Sequence, residues 1–446
     1  MERFLPWLFL VLFAGSVNAA DSLAGSENIE SRTLENGLKV IVWPDQDIPN
    51  LAWYHWVRAG ARNEYPGITG LSHFFEHMMF NGTSKRKPGE FDRIMEANGG
   101  ANNAYTSSDV TVYTDWVPRS ALELNFDLES DRFQNLAFVE EVVNSERGVV
   151  YSERRSSVDN QSFRKLHEQV NATAFIAHPY QFPVIGWPSD IENWKMEDLQ
   201  QYFQTYYAPN NTTLVIVGAV EPKQVFELAE EYFGPISAQP APEPVRTVEP
   251  KQVGQRRLVM NDTAQAPVLA VAFHIPQANH PDTPALSLAM DVLGEGTSSR
   301  LHQRMVEQEQ LAVGVFSFKD EGFDPGLAWF FVMLPPGGDT QRAEDVLFEE
   351  LEKVASVAVL ATELEKARNI QMANFWRKLA TIDGKADLLG TYEVFHGDFN
   401  KMLEVPEQFA RVSLEDIKTV SSTVFTRSNS TVGVLIPTAN EQEAGE

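Results

Sequence analysis

The chain contains no cysteine. Disulfides, thiolate metal ligands and cysteine nucleophiles are therefore excluded together, and stability has to come from buried apolar cores. At 446 residues the chain is long enough to form two. Positive charge is also scarce: 36 Lys and Arg stand against 62 Asp and Glu, a formal net charge of -26. With no basic stripe to meet phosphates, the composition argues against nucleic-acid binding. The acidity reads most simply as surface solvation, with an acidic chamber for basic peptides as the functional alternative. Long apolar runs are missing as well. The stretch over residues 5–15 is too short to span a bilayer. With Arg3 before it and small residues at Val17-Asn18-Ala19, it predicts a signal peptide over residues 1–19 and a soluble exported chain beginning near Ala20. An exported chain without cysteine fits a bacterial periplasm.

Histidine is uncommon, 9 residues in all, yet two of them stand four apart in His73-Phe74-Phe75-Glu76-His77. This is H-x-x-E-H, the inverted form of a zinc-protease helix motif. Residues i and i+4 share a helix face, so His73 and His77 can aim imidazole nitrogens at one metal ion. Glu76 lies on the same side and is placed to take a proton from an attacking water. The flanking Leu71, Phe74, Phe75, Met78, Met79 and Phe80 predict a buried helix. Buried His and Glu side chains need a partner such as a metal to offset their desolvation. The remaining histidines (His55, His167, His178, His274, His280, His302 and His396) show no ligand spacing and are expected in the core or on the surface.

The run Gln239-Pro240-Ala241-Pro242-Glu243-Pro244 predicts a linker, set at residues 237–257, between an N-terminal domain over 26–236 and a C-terminal domain over 258–440. The two parts resemble each other. Met196-Glu197-Asp198-Leu199 and Leu414-Glu415-Asp416-Ile417 are 218 residues apart, and at the same offset Asn211-Thr212-Thr213-Leu214 meets Asn429-Ser430-Thr431-Val432. Gly82-Thr83-Ser84 meets Gly296-Thr297-Ser298 at an offset of 214. Near-equal offsets in the same order predict a duplicated domain of about 200 residues. Strands are expected at 38–43, 51–57, 111–117, 214–217, 268–274, 329–334 and 432–436, and helices at 71–80, 88–98, 121–134, 139–156 and 222–232. The fold class is α+β: two homologous domains, each a mixed or antiparallel sheet covered by helices. Under the 214 offset, His73, Glu76 and His77 map to Ser287, Met290 and Asp291. The second domain is therefore expected to carry no metal and to act as scaffold and substrate wall.

A catalytic zinc usually keeps three protein ligands and one open position, so a third His or carboxylate must come from elsewhere. In the predicted helix over 139–156, Glu146 and Glu153 stack on one face two turns apart. One can bind the metal while the other supports the site; spacing does not choose between them.

With His73 to His77 followed by Glu146-Arg147-x-Val149-Val150-x-x-Glu153, the chain resembles the pitrilysin/insulysin metallopeptidases, particularly their shorter bacterial members and the mitochondrial processing peptidase β subunit. The resemblance extends to Gly60-Ala61-Arg62-Asn63-Glu64, Phe80-Asn81-Gly82-Thr83, Gly99-Gly100-Ala101-Asn102-Asn103-Ala104-Tyr105-Thr106 and Ser298-Ser299-Arg300-Leu301. It implies half of a clam-shell chamber and one Zn2+ per chain, held by His73, His77 and Glu153. It further implies Glu76 as general base and Glu146 as the acid that orients the site. The implied substrate is a peptide that adds as a strand at the edge formed by residues 99–106, in contact with Asn103 and Ala104.

One part of the family's pattern is missing. Active members carry an Arg and a Tyr seven residues apart after Ser-Ser-Arg-Leu, which hold substrate and stabilise the oxyanion; those positions here are Val306 and Val313. Arg304 is close in sequence but should face elsewhere on its helix. The resemblance thus implies a zinc endopeptidase subunit whose missing pair comes from a homologous zinc-less partner. The alternatives are an enzyme with another oxyanion donor and a proteolytically weak peptide-binding or assembly subunit.

Overall fold

A computed structural model describes residues 25–357 and 359–438; the leader expected over 1–19 lies outside them, as do the last two residues of the second expected domain. The first half contributes strands β1 (Glu30–Thr33), β2 (Lys39–Pro44), β3 (Asn50–Val57), β4 (Ala101–Thr106), β5 (Thr111–Pro118) and β6 (Thr212–Gly218). They form one sheet in the order β1-β2-β6-β3-β5-β4, with β2 and β6 parallel and every other neighbour antiparallel. The second half contributes β7 (Arg256–Thr263), β8 (Val268–His274), β9 (Gly314–Asp320), β10 (Leu327–Met333) and β11 (Ser430–Thr438). Their order is β7-β11-β8-β10-β9, with β7 and β11 parallel and the rest antiparallel. Leaving out β1, the two sheets repeat one another in order and direction. Between them, residues 237–255 carry neither helix nor strand.

The helices of the first half are α1 (Leu71–Met78), α2 (Glu90–Ala97), α3 (Leu122–Asn135), α4 (Glu140–Arg154), α5 (Ser162–Ala174), α6 (Pro188–Asn193), α7 (Met196–Tyr206) and α8 (Pro222–Tyr232). Those of the second are α9 (Thr283–Gly294), α10 (Thr340–Ser356), α11 (Ala361–Leu379), α12 (Ile382–His396), α13 (Val405–Arg411) and α14 (Leu414–Val424). The duplication is visible in the pair α7–β6 and α14–β11, which recur at the offset expected from the sequence. α1, α3, α4, α7 and α8 close one face of the first sheet, and α9, α10, α11 and α14 close the matching face of the second.

The opposite faces are covered by exchange. α12, from the second half, lies on the first sheet with Ile382, Ala386 and Leu389 against Ile41, Ala52, Tyr54 and Trp56. α5, from the first half, lies on the second sheet with Leu166 and Val170 against Ala270, Ala272 and Leu435. This explains why β3 and β6 are buried along nearly their whole length and mostly apolar: both faces are covered. Polar ties fix each exchanged helix. Tyr54 Oη donates to Asp383 (3.0 Å), Lys385 pairs with Asp45 (2.6 Å) and Lys39 with Glu393 (2.7 Å). On the other side, Ser162 Oγ donates to the Thr263 carbonyl (2.6 Å) and Lys165 pairs with Asp262. Each contact also needs one glycine. A Cβ at Gly390 of α12 would stand 2.0 Å from Trp56 Nε1, and one at Gly433 of β11 would stand 2.2 Å from Val170 Cγ2.

Some elements differ from expectation. α1 ends at Met78 rather than at residue 80, because Phe80 N–H and the Asn81 side chain both turn back to the His77 carbonyl (3.1 and 3.2 Å). α2 begins at Glu90 rather than at residue 88, because Gly89 takes a left-handed φ of 76° before it. Strands β7 and β9 were not expected. Both lie at sheet edges with many residues exposed, so neither shows a clear apolar run.

Because Trp56 is almost fully buried, Gly390→Ala should destabilise the protein by about 1–3 kcal/mol through overpacking. Denaturant midpoints at unchanged slope would measure it, and an unchanged midpoint would contradict the close approach of α12 to β3.

Candidate metal centre

α1 presents two unlike faces. Leu71, Phe74, Phe75 and Met78 are fully buried in the first core, while His73 and Glu76 line a cavity of about 700 Å³ and His77 meets Glu146 and Glu153 of α4. The helix start is held by a carboxylate that the sequence reading assigned no role. Glu64 is buried and accepts from Gly70 N–H (2.6 Å), Ser72 N–H (2.7 Å) and Ser72 Oγ (2.7 Å). The two N–H groups are donors that the start of a helix otherwise leaves unpaired. Burial pushes Glu64 up to about 8 despite those three donors. Its only sequence trace was its place in Gly60-Ala61-Arg62-Asn63-Glu64. Gly70 has φ 88°, and a Cβ there would meet the Ile185 carbonyl at 2.6 Å, so a glycine is required where α1 meets the 185–186 turn.

The geometry separates the two candidate carboxylates of α4. Glu153 Oε2 lies 3.3 Å from His77 Nε2 and 3.7 Å from His73 Nε2. Glu146 Oε1 instead meets the other ring nitrogen, His77 Nδ1, at 2.8 Å. One donor atom from each of His73, His77 and Glu153 falls within 4.8 Å of the others. In a tetrahedral zinc site, ligand atoms about 2.1 Å from the ion stand about 3.4 Å apart. The three side chains therefore fit one zinc ion. α4 is held in place by Arg147, which donates to the Trp194 carbonyl (2.7 Å), and by the buried Arg154, which pairs with Glu168 (2.8 Å) and donates to the Gly186 carbonyl (2.7 Å).

Electrostatics agree with a cation site. Burial and the neighbouring His77 lower His73 to about 4, so that ring is neutral near pH 7. Burial also disfavours charge on His77, but hydrogen bonds and charges from Glu146 and Glu153 outweigh it and raise His77 to about 9. The two carboxylates thus favour positive charge at His77, and a cation held by the three side chains would supply it. Glu146 is lowered chiefly by its bond to His77, and Glu153 likewise. Glu76 stands apart from this cluster. Burial raises it, and Thr106 Oγ1 at the end of β4 donates to it (2.5 Å). β4 pairs with β5 on one side and is otherwise the sheet's edge, so Asn103 and Ala104 lie on an edge strand whose end touches Glu76.

The second half supplies the facing wall of the cavity through Lys319, Asp320, Glu321, Gly322, Gly326 and Leu327. No second group of metal donors converges among the described residues. Ser287 bonds its own helix, Met290 is buried, and Asp291 accepts from Gln371 (2.7 Å). Val306 and Val313 do not line the cavity. Arg304 is engaged with Glu309, Glu349 (3.1 Å) and Glu350 (3.4 Å), and Arg300 with Glu363 (2.7 Å).

Comparison with known proteins agrees with this arrangement. Residues 51–186 match the family described as Insulinase (Peptidase family M16), and residues 193–371 match the Peptidase M16 inactive domain. Zinc protease PqqE of Helicobacter pylori is 30% identical, over 97% of this chain and 98% of its own. A probable mitochondrial-processing peptidase subunit beta of Arabidopsis thaliana is 27% identical, over 87% of this chain and 74% of its own. The crystal structure of a protease from Helicobacter pylori superposes with a TM-score of 0.89 at 30% identity, covering 92% of this chain and 99% of that one. The periplasmic protease PqqL of Escherichia coli shares the fold, with a TM-score of 0.78 at 20% identity, and this chain covers 49% of it. The chain belongs to the insulinase family, peptidase family M16.

Proposed function

We propose that the chain is an exported zinc-dependent endopeptidase acting on peptides or unfolded protein segments, as the catalytic subunit beside a homologous zinc-less partner. The observation that carries this reading is the convergence of His73, His77 and Glu153 on one point with Glu76 on the same cavity. The domains in this reading are 26–236, bearing the metal, and 258–440, the facing wall, joined by the linker at 237–257. Relatives known as zinc proteases support that activity, and the periplasmic protease PqqL of Escherichia coli, which shares the fold, is in keeping with export. Among the described residues no helix is long and apolar enough to cross a membrane.

The chemistry a zinc ion supplies at such a donor set is Lewis acidity, which polarises a carbonyl and acidifies water. The rest falls to the chain itself. His73, His77 and Glu153 would hold the ion, and Glu146, accepting from His77 Nδ1, fixes that ring with Nε2 turned toward Glu153. Glu76 accepts the proton of the attacking water and returns it to the leaving amine. Its burial raises its proton affinity toward the working pH, and Thr106 keeps its carboxylate oriented. A substrate strand pairs with the open edge of β4 at Asn103 and Ala104, so backbone bonds supply affinity with little sequence dependence. Val306 and Val313, outside the cavity, motivate the partner, which would bring the Arg and Tyr this chain lacks. The same two residues favour the alternative reading, a proteolytically weak peptide-binding or assembly subunit.

Four measurements test the proposal. The purified chain should hold one zinc by elemental analysis, and Glu153→Ala should abolish that occupancy. Glu76→Gln should keep the zinc and lose about 10²–10⁴-fold in turnover; normal turnover would remove Glu76 as the base. Glu146→Ala should weaken zinc binding about 10–100-fold in a competitive chelator titration. Rapid hydrolysis by the lone chain would dispense with the partner, whereas stoichiometric zinc with turnover only after adding a zinc-less homologue would support it.

A further inference from the structure

Each charged side chain facing the cavity has a hydrogen-bond or ion-pair partner, with a single exception among the described residues. Asp109 accepts from Tyr180 Oη (2.7 Å), Glu168 takes both terminal nitrogens of Arg154 (2.8 and 2.9 Å), and Asp320 accepts from Trp329 Nε1 (2.7 Å). Glu321 pairs with Lys319. Glu76 and Glu153 belong to the metal centre. Arg164 also lines the cavity, is exposed, and has no hydrogen bond or ion pair among the described residues. It stands on α5 one turn before His167 and two turns before Asn171, which line the same wall, so this helix face is turned to the cavity. His167 adds no competing charge, since its ring packs on Trp329 at 4.4 Å and burial lowers it to about 4.

A guanidinium without a counter-ion, on a wall whose acids are already engaged, suits a carboxylate carried in by the ligand, because its planar fork matches the two oxygens. We infer that Arg164 is a specificity-determining residue that binds a carboxylate of the peptide substrate, from an acidic side chain or from the free C-terminus. The inference rests on the peptidase reading only for where the scissile bond lies. The overall charge of -26 would suggest basic peptides, but the acids on this wall are engaged and the one unmatched group is positive.

The test uses the zinc-loaded Glu76→Gln protein, in which binding is read without cleavage, by anisotropy of three labelled peptides: one with an internal Glu and an amidated end, one neutral with a free C-terminus, and one neutral and amidated. Adding Arg164→Ala should weaken one or both carboxylate-bearing peptides about tenfold and leave the third unchanged; whichever weakens names the source. Arg164→Glu should turn the preference toward a Lys-containing peptide. Equal loss for all three peptides, no loss for any, or no binding at all would overturn the inference. Hydrolysis by the otherwise unaltered protein is read separately, so a failure of the peptidase reading shows there while the binding contrast still decides Arg164.

Discussion

The reciprocal burial of α5 and α12 is the constraint on which the rest of the structure depends. Each sheet hides one face behind its own helices and the other behind a helix from the opposite half. Without the exchange, Trp43, Tyr54 and Trp56 on one sheet and Trp329 and Phe331 on the other would lose their cover, and aromatic side chains of this size contribute heavily to burial. The same exchange brings the β9–β10 turn against the half that carries His73, His77 and Glu153. There Asp324 pairs with Arg62 and His178 (3.1 Å), and its N–H donates to Tyr180 Oη (3.1 Å). The cavity is therefore a product of the packing between halves.

Within that frame, the metal centre depends on buried polar groups that act in pairs. Glu64 satisfies the start of α1, Thr106 positions Glu76, and Glu146 takes one nitrogen of His77 while Glu153 faces the other. In a low-dielectric interior an unmatched polar group is costly and a matched one is held firmly. This is why α1 can carry Glu76 and His77 on one face and a fully apolar row on the other, while the buried Nδ1 of His73 stays unpaired among the described residues.

The second half shows what the duplicated plan looks like without the cluster of metal-donor side chains. Its sheet repeats the first, yet the positions of the motif hold Ser287, Met290 and Asp291. Burial raises Asp291 to about 6, and it bonds Gln371 of α11, the helix beside α9 as α4 is beside α1. The helix pair survives as packing, and the half contributes the wall that faces the first half's centre.

Much of this was legible in the chain itself. Histidines at i and i+4 predict a shared helix face because helical geometry is local, and the central strands announce themselves because two buried faces require an unbroken apolar run. The repeat was visible because the matching turns and strands sit at nearly constant offsets. Glu64 was not legible as a cap, since its partners depend on how residues 64–72 fold back. Nor were β7 and β9, whose edge positions leave many residues exposed. The sequence by itself determined the residue types of the candidate metal site, which follow from helical periodicity, and the duplicated α+β plan, which follows from the near-constant offset between its repeats. Only the tertiary structure decided that Glu153 and not Glu146 faces both Nε2 atoms, that the halves trade helices, and that Arg164 stands unmatched on the cavity wall. Those outcomes depend on contacts between segments far apart in the chain, whose spacing in sequence carries no record of their distance in space.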